Sequence, residues 1–265
     1  MAQKLMSVII LNWNRLHYTK QTLGRIIQSA TMPIELIVVD NNSGDESGVR
    51  GYFDSIKSDL EKRFKKVIYI YNDKNLGVAG GRNSGLVKAT GEYLVTIDDD
   101  VWLPDRWDVL MAEACDKIPK LGITGVNVEP NKYPIKVING VSVTPKNGNL
   151  GGACLCLSRR VFKIIGYYNY FDLYGHEDAA MYYRLAYLKL ASAYIVPRGK
   201  HLDTDQDKAY RAAKNNAHKQ GSMQLGQLSK YLKYMRATGD VYVAFDPNYE
   251  PPDRDIFTND LIKKG

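Results

Sequence analysis

The chain has 265 residues, 45% hydrophobic and 25% charged, with 36 basic against 29 acidic side chains and a formal net charge of +7. That length can bury a large core, and that balance excludes both a disordered chain and a small scaffold that needs covalent staples. Cys115, Cys154 and Cys156 are too few and too unevenly spaced for a zinc or disulfide framework, so reduced thiols and a cytoplasmic location are expected.

No run of about 18 apolar residues marks a spanning helix. The strand-like MSVIIL follows the N-terminus almost at once, without the pattern of a secretory signal. The basic surplus favours anionic partners in general, including nucleotides, nucleic acid and acidic headgroups, without choosing among them. No RNA-binding aromatic motif or zinc-finger spacing accompanies it.

In chain order, SVIIL (7–11), ELIVVD (35–40), KVIYIY (66–71) and YLVTID (93–98) are rich in branched and aromatic residues and predict buried strands. Residues 17–30, 46–64 and 78–89 carry the polar interruptions of crossover helices. This alternation predicts a βαβ architecture with functional loops at the carboxyl ends of the strands. The loops NWNR (12–15) and DNNSGDES (40–47) fall there. Asp40 at the head of the second can accept from a ligand or brace a turn. NLGVAGGRNSGL (75–86) opens a helix with glycines that permit close backbone approach, and Arg82 can meet an anion. It matches neither a G-x-G-x-x-G fingerprint nor a P-loop, and a structural glycine turn is the competing account.

TIDDDVWLPDRW (96–107) places Asp98, Asp99 and Asp100 directly after an apolar strand. Uncompensated carboxylates there are costly, and a divalent cation would offset them. The oxygen donors suit Mg2+ or Mn2+; an acidic turn capped by Asp98 is the plainer alternative. Trp102 and Trp107 beside it are expected to pack. Beyond residue 120 the alternation weakens into short strand candidates, and Gly151 and Gly152 lead into another apolar element as either a tight turn or a substrate-facing loop. Tyr167, Tyr168 and Tyr170 are expected to pack.

Helix 177–190 begins with Glu177 and Asp178. Asp178 can take a proton from an attacking hydroxyl, or simply favour the helix dipole. Met181, Leu185 and Leu188 supply the helix's buried face, with Arg184 elsewhere and Tyr182, Tyr183 and Tyr187 packing. His201 can join a metal or phosphate network or face solvent. A basic helix is expected from 208 to 235, with an apolar stripe of Leu225, Leu228, Leu232 and Met235. It can pack on the preceding domain or provide a peripheral membrane or protein contact. Residues 1–207 are expected to form the catalytic domain, and 208–265 a helical elaboration whose final DPNYEPPDRD is irregular.

In order, SVIILNWNR, IELIVVDNNSGDES, NLGVAGGRNSGL, ATGEYLVTIDDDVWLPDRW, GNLGGACLCLSRRVF and GHEDAAMYYRL resemble a family 2 glycosyltransferase with a GT-A fold. The resemblance implies a mixed, predominantly parallel α/β sheet flanked by helices. It also implies an inverting transfer from a nucleotide-sugar, a UDP-sugar first, to an acceptor hydroxyl. By the same resemblance Asp40 contacts the base, Arg82 supports the nucleotide site, and Asp98 and Asp99 occupy the nucleoside- and metal-binding portion of the acidic motif, with Asp100, the third consecutive aspartate, an additional ligand candidate for Mg2+ or Mn2+. Asp178 matches the general base and Glu177 its acidic companion. The acceptor is open among a carbohydrate, a glycolipid, a protein and a modified nucleic acid. Two other readings compete: a noncatalytic nucleotide-responsive interaction protein, and a glycosyltransferase acting on hydroxymethylated DNA bases.

Overall fold

The computed structural model describes residues 4–129, 133–171, 174–203 and 208–245. The first half is a regular alternation: β1 (Met6–Asn12), α1 (Leu16–Ser29), β2 (Ile34–Asp40), α2 (Val49–Arg63), β3 (Lys66–Tyr71), α3 (Gly77–Lys88) and β4 (Tyr93–Asp98). Next come β5 (Val101–Trp102), α4 (Trp107–Lys117), β6 (Leu121–Val126), β7 (Lys136–Ile138), β8 (Val141–Pro145), β9 (Cys154–Ser158) and α5 (Arg159–Ile165). α6 (Glu177–Tyr187), β10 (Ala191–Ile195), β11 (Lys200–His201) and α7 (Lys208–Thr238) complete the described chain.

Among the described residues, one nine-stranded sheet has the order β3-β2-β1-β4-β9-β6-β10-β8-β7, and β11 pairs with β5 in a separate ribbon. Strands β3, β2, β1 and β4 are parallel, as are β6 and β10; β9 runs antiparallel between β4 and β6. The expected mixed, mostly parallel α/β architecture is therefore present.

Strand alternation divides the core between two faces. Val8, Ile10, Leu36, Val38 and Val95 join Leu23, Phe53 and Trp107 on one side. Ile9, Ile37, Val39 and Leu94 join Leu86, Phe162, Met181 and Leu185 on the other. β3 departs from the expected buried strand: Val67 through Tyr71 are only half-buried, because β3 ends the sheet order and lacks a second neighbour. Arg184 also departs from expectation. It is fully buried, and its Nη1 donates to the carbonyls of Ile165 at 2.5 Å and Tyr167 at 2.7 Å, tying α6 to the loop after α5. Tyr183 and Tyr187, expected to pack, are exposed, since they lie on the face of α6 turned from the sheet.

A third cluster brings Leu228, Tyr231 and Met235 of α7 against Phe171 and Ala180, with Val241 and Val243 of the segment that follows. Backbone bonds from Tyr167 to Val243 and from Val243 to Ile165 secure that segment. The Leu225 side chain and DPNYEPPDRD lie outside the described residues.

Candidate active site

Register sets the site. Asn12 lies beside Asp40, and Leu11 lies between Val39 and Asp98, so the carboxyl ends of β2, β1 and β4 open at one level. A cavity of about 490 Å³ occupies that edge, lined by Trp13, Asn41, Asn75, the Asp98–Asp100 turn, Gly151 and Gly152, and by Glu177, Asp178 and His201 from later in the chain. Its size is that of a small-molecule pocket.

Arg82 connects its two sides. α3 approaches β1 closely through Gly81 and Gly85, where an added Cβ would lie 2.4 Å from Leu11 and from Ile9 respectively. That approach carries Arg82 to the cavity. Its Nη2 donates to Asp98 at 2.6 Å and to the Gly152 carbonyl at 2.9 Å, while Nη1 donates to Glu177 at 3.1 Å. Arg82 is almost wholly buried. The expected encounter with an anion is thus met by protein carboxylates, although Arg82 also lines the cavity. Burial raises the Asp98 pKa, and the Arg82 charge opposes that rise. Burial pushes Glu177 up to about 7, with Asp178 adding to the rise and Arg82 opposing it. One Glu177 oxygen, Oε2, is buried without a hydrogen bond.

Asp178 lies on the cavity wall, and its Oδ1 accepts from the Ala179 N–H at 2.6 Å. It thus engages the helix start, as one account of the sequence expects, while lying beside the cleft. Asp40 is fully buried at the end of β2, and its Oδ1 accepts from the Ser43 N–H at 3.1 Å and from the Ser43 hydroxyl. It is not among the cavity-lining residues; its neighbour Asn41 is. Asn41 is fixed by donating to Asn75 and the Gly77 carbonyl and by accepting from Asn72 and Leu76.

Asp99 and Asp100 meet Arg15, a cation in the NWNR loop that sequence reading left without a role. Its guanidinium lies 3.3 Å from Asp99, 2.8 Å from Asp100 and 3.2 Å from Asp203. Burial raises the Asp99 pKa well above the usual carboxylate range, and Arg15 opposes the shift. His201 Nε2 is 3.5 Å from Asp100 Oδ1, an oxygen that is buried and without a hydrogen bond. Among the described residues no group of three or more His, Cys, Asp or Glu side chains is placed to hold a metal ion. The carboxylates of Asp99 and Asp100, with the orphaned Asp100 Oδ1, are the hard oxygen donors that Mg2+ takes together with phosphate and water. Trp107 is buried and donates to Ser29, whereas Trp102 is partly exposed beneath Arg25. Glu129 on the β6 side of the cavity also escaped sequence reading; one carboxylate beyond a short strand gives no pattern to find.

The sheet, with an acidic turn at the end of β4 facing a carboxylate-bearing helix, defines a GT-A glycosyltransferase fold. The structure aligns with GalNAc-T7 in complex with UDP, GalNAc and Mn2+ at a TM-score of 0.61 and 16% identity, over 76% of this chain and 44% of that one. It aligns with the mannosyltransferase PcManGT of Pyrobaculum calidifontis, in complex with GDP-Man and Mn2+, at a TM-score of 0.63 and 17% identity, over 89% and 65% of the two chains. Residues 7–138 match the family model described as glycosyl transferase family 2, and the chain belongs to that family.

A glycosyl transferase assigned to colanic acid biosynthesis in Escherichia coli is 29% identical over 109 residues, 41% of this chain and 37% of that protein. The GalNAc(5)-diNAcBac-PP-undecaprenol beta-1,3-glucosyltransferase of Campylobacter jejuni is 30% identical over 96 residues, 36% of this chain and 29% of that protein. The matches thus span about a third of these curated relatives. Among the described residues no helix is long and apolar enough to cross a membrane.

Proposed function

We propose that this chain transfers a sugar from a nucleotide-sugar, a UDP-sugar first, to an acceptor hydroxyl with inversion at the anomeric carbon. The observation that carries this reading is the meeting of the Asp98–Asp100 turn and the Glu177–Asp178 pair on one cavity, joined through Arg82. Family membership and the nucleotides named with the two structural neighbours support the donor class. The name of the Campylobacter relative supports a lipid-linked saccharide among the acceptors to be tried.

In this reading Trp13, Asn41 and Asn75 form the nucleoside wall. Asp40 sits behind it, fully buried and with one oxygen lacking a hydrogen bond. Asp98 faces the nucleoside while Arg82 limits its charge. Asp99 and Asp100, with His201 beside Asp100, would hold Mg2+ or Mn2+, which when bound supplies Lewis-acid stabilisation of the departing diphosphate. Asp178 accepts the proton of the acceptor hydroxyl, whose oxygen bonds to the anomeric carbon as the bond to the phosphate oxygen breaks and its electron pair leaves with the nucleotide. Direct displacement inverts that carbon.

The test is incubation with UDP-, GDP- and TDP-sugars and Mn2+, offering free saccharides, lipid-linked saccharides and hydroxymethylated DNA, with products resolved by mass spectrometry. Mass gain of one glycosyl unit from a UDP-sugar is expected. Nucleotide binding without transfer across the panel would instead favour the interaction-protein reading.

A further inference from the structure

Arg15 reaches the acidic turn from a fixed base. Its carbonyl accepts from Tyr18 at 3.0 Å and from Thr19 at 3.1 Å in the first turn of α1, and its guanidinium lies 4.5 Å from the centre of the Tyr18 ring. Two turns into the same helix, Thr22 donates to the Asp99 carbonyl at 2.7 Å and accepts from the Val101 N–H at 3.0 Å. Thus α1 holds the turn's backbone through Thr22 and its carboxylates through Arg15. The guanidinium is buried, with its side chain 6% exposed, and a planar fork suits simultaneous contact with several carboxylates.

Two of the contacted groups, Asp99 and Asp100, are the carboxylates assigned above to the cation. Arg15 supplies one positive charge among Asp99, Asp100 and Asp203; it occupies Asp99 Oδ1 and Asp100 Oδ2 and leaves Asp100 Oδ1 toward His201, so it competes for the two carboxylates without closing the site. Among the described residues no third side chain completes a metal-holding group, so the two carboxylates pair with the resident guanidinium or with an incoming cation that brings its other ligands along. A diphosphate changes that balance, because it brings further oxygens to the ion and negative charge to the site.

Building on the transferase reading, we propose that Arg15 is a positioning residue that makes divalent-cation binding conditional on the nucleotide. It keeps the acidic turn neutralised and in place before the donor arrives, and by competing for Asp99 and Asp100 it weakens capture of the bare ion. A purely structural prop predicts the opposite: removing it would let the turn drift and lower cation affinity.

Mn2+ binding, followed by the paramagnetic resonance signal of the free ion with and without UDP, separates these accounts. Arg15→Met, checked for folding by circular dichroism, should bind Mn2+ alone at least about tenfold more tightly than the unaltered chain, a difference of about 1.4 kcal/mol. With saturating UDP the gap should shrink. Arg15→Lys, which keeps the charge but loses the fork, should show a smaller gain without UDP and serves as the deciding variant if Arg15→Met does not fold. Unchanged or weaker UDP-free Mn2+ binding in the folded variant overturns the proposal while leaving the transferase reading intact. Absence of Mn2+ binding by the unaltered chain even with UDP overturns the metal-assisted reading and this proposal together.

Discussion

Glu177 accepts from Arg82 through one oxygen and leaves the other buried without a hydrogen bond. Burial raises its pKa from 4.5 to about 7. Between those values the folded chain retains a proton that the unfolded chain has released, so this group's contribution to stability falls as pH rises through the window and stays at its lowest above it. Glu177→Gln cannot ionise and keeps an acceptor for Arg82. Relative to the unaltered chain its melting temperature should therefore improve between pH 5 and pH 8, by the few degrees that about 1 kcal/mol produces in a domain of this size. The same melting difference at both pH values would show that Glu177 titrates as an ordinary carboxyl. The Asp98–Asp100 turn stood out in the sequence because carboxylates end an apolar run there, and Asp178 because it stands where a loop becomes an amphipathic helix; both line the cavity. Arg15 did not stand out: its role depends on carboxylates more than 80 residues away, and nothing local distinguishes it from a solvated loop cation.

At the scale of elements, the glycines of two helices differ in consequence. An added Cβ at Gly85 would lie 2.4 Å from Ile9 Cγ2 and 3.3 Å from Ile9 Cβ, so rotating the Ile9 side chain cannot clear all of it. At Gly24 in α1 nothing lies within 4 Å. The helix-propensity gain from Gly to Ala, about 1 kcal/mol, is common to both, whereas overpacking at Gly85 costs about 1–3 kcal/mol. In urea denaturation Gly24→Ala should stabilise by about 0.5–1 kcal/mol, whereas Gly85→Ala should not stabilise and should destabilise by up to about 2 kcal/mol. Equal stabilisation by both would mean that α3 does not need its close approach to β1. The first four principal strands were readable to within a residue or two, because consecutive branched residues mark positions covered on both faces. Sheet order was not readable: β3 looks as apolar as β2, yet its terminal place leaves it half-buried. Arg184 resisted reading for a related reason, since its burial depends on two carbonyls at the end of α5.

For the whole molecule, the cavity depends on joining the β1–β4 half to α6, and Arg82 makes that join across 95 residues of sequence separation. Arg82→Met leaves Asp98 and buried Glu177 without their shared cation and should cost about 3–5 kcal/mol in denaturant unfolding, the usual penalty for removing one member of a buried ion pair. A loss below about 1 kcal/mol would show that the two halves are held by apolar packing alone. The same join places a potential base opposite the donor acids, and Asp178→Asn tests that consequence most directly. UDP binding in the presence of Mn2+, measured by calorimetry, should stay close to that of the unaltered chain, because the amide keeps the side chain's shape. Sugar transfer, measured by product mass spectrometry under matched conditions, should fall by about 100-fold or more, the scale of a lost general base. Transfer at the unaltered rate by a folded Asp178→Asn chain that binds UDP would contradict the account.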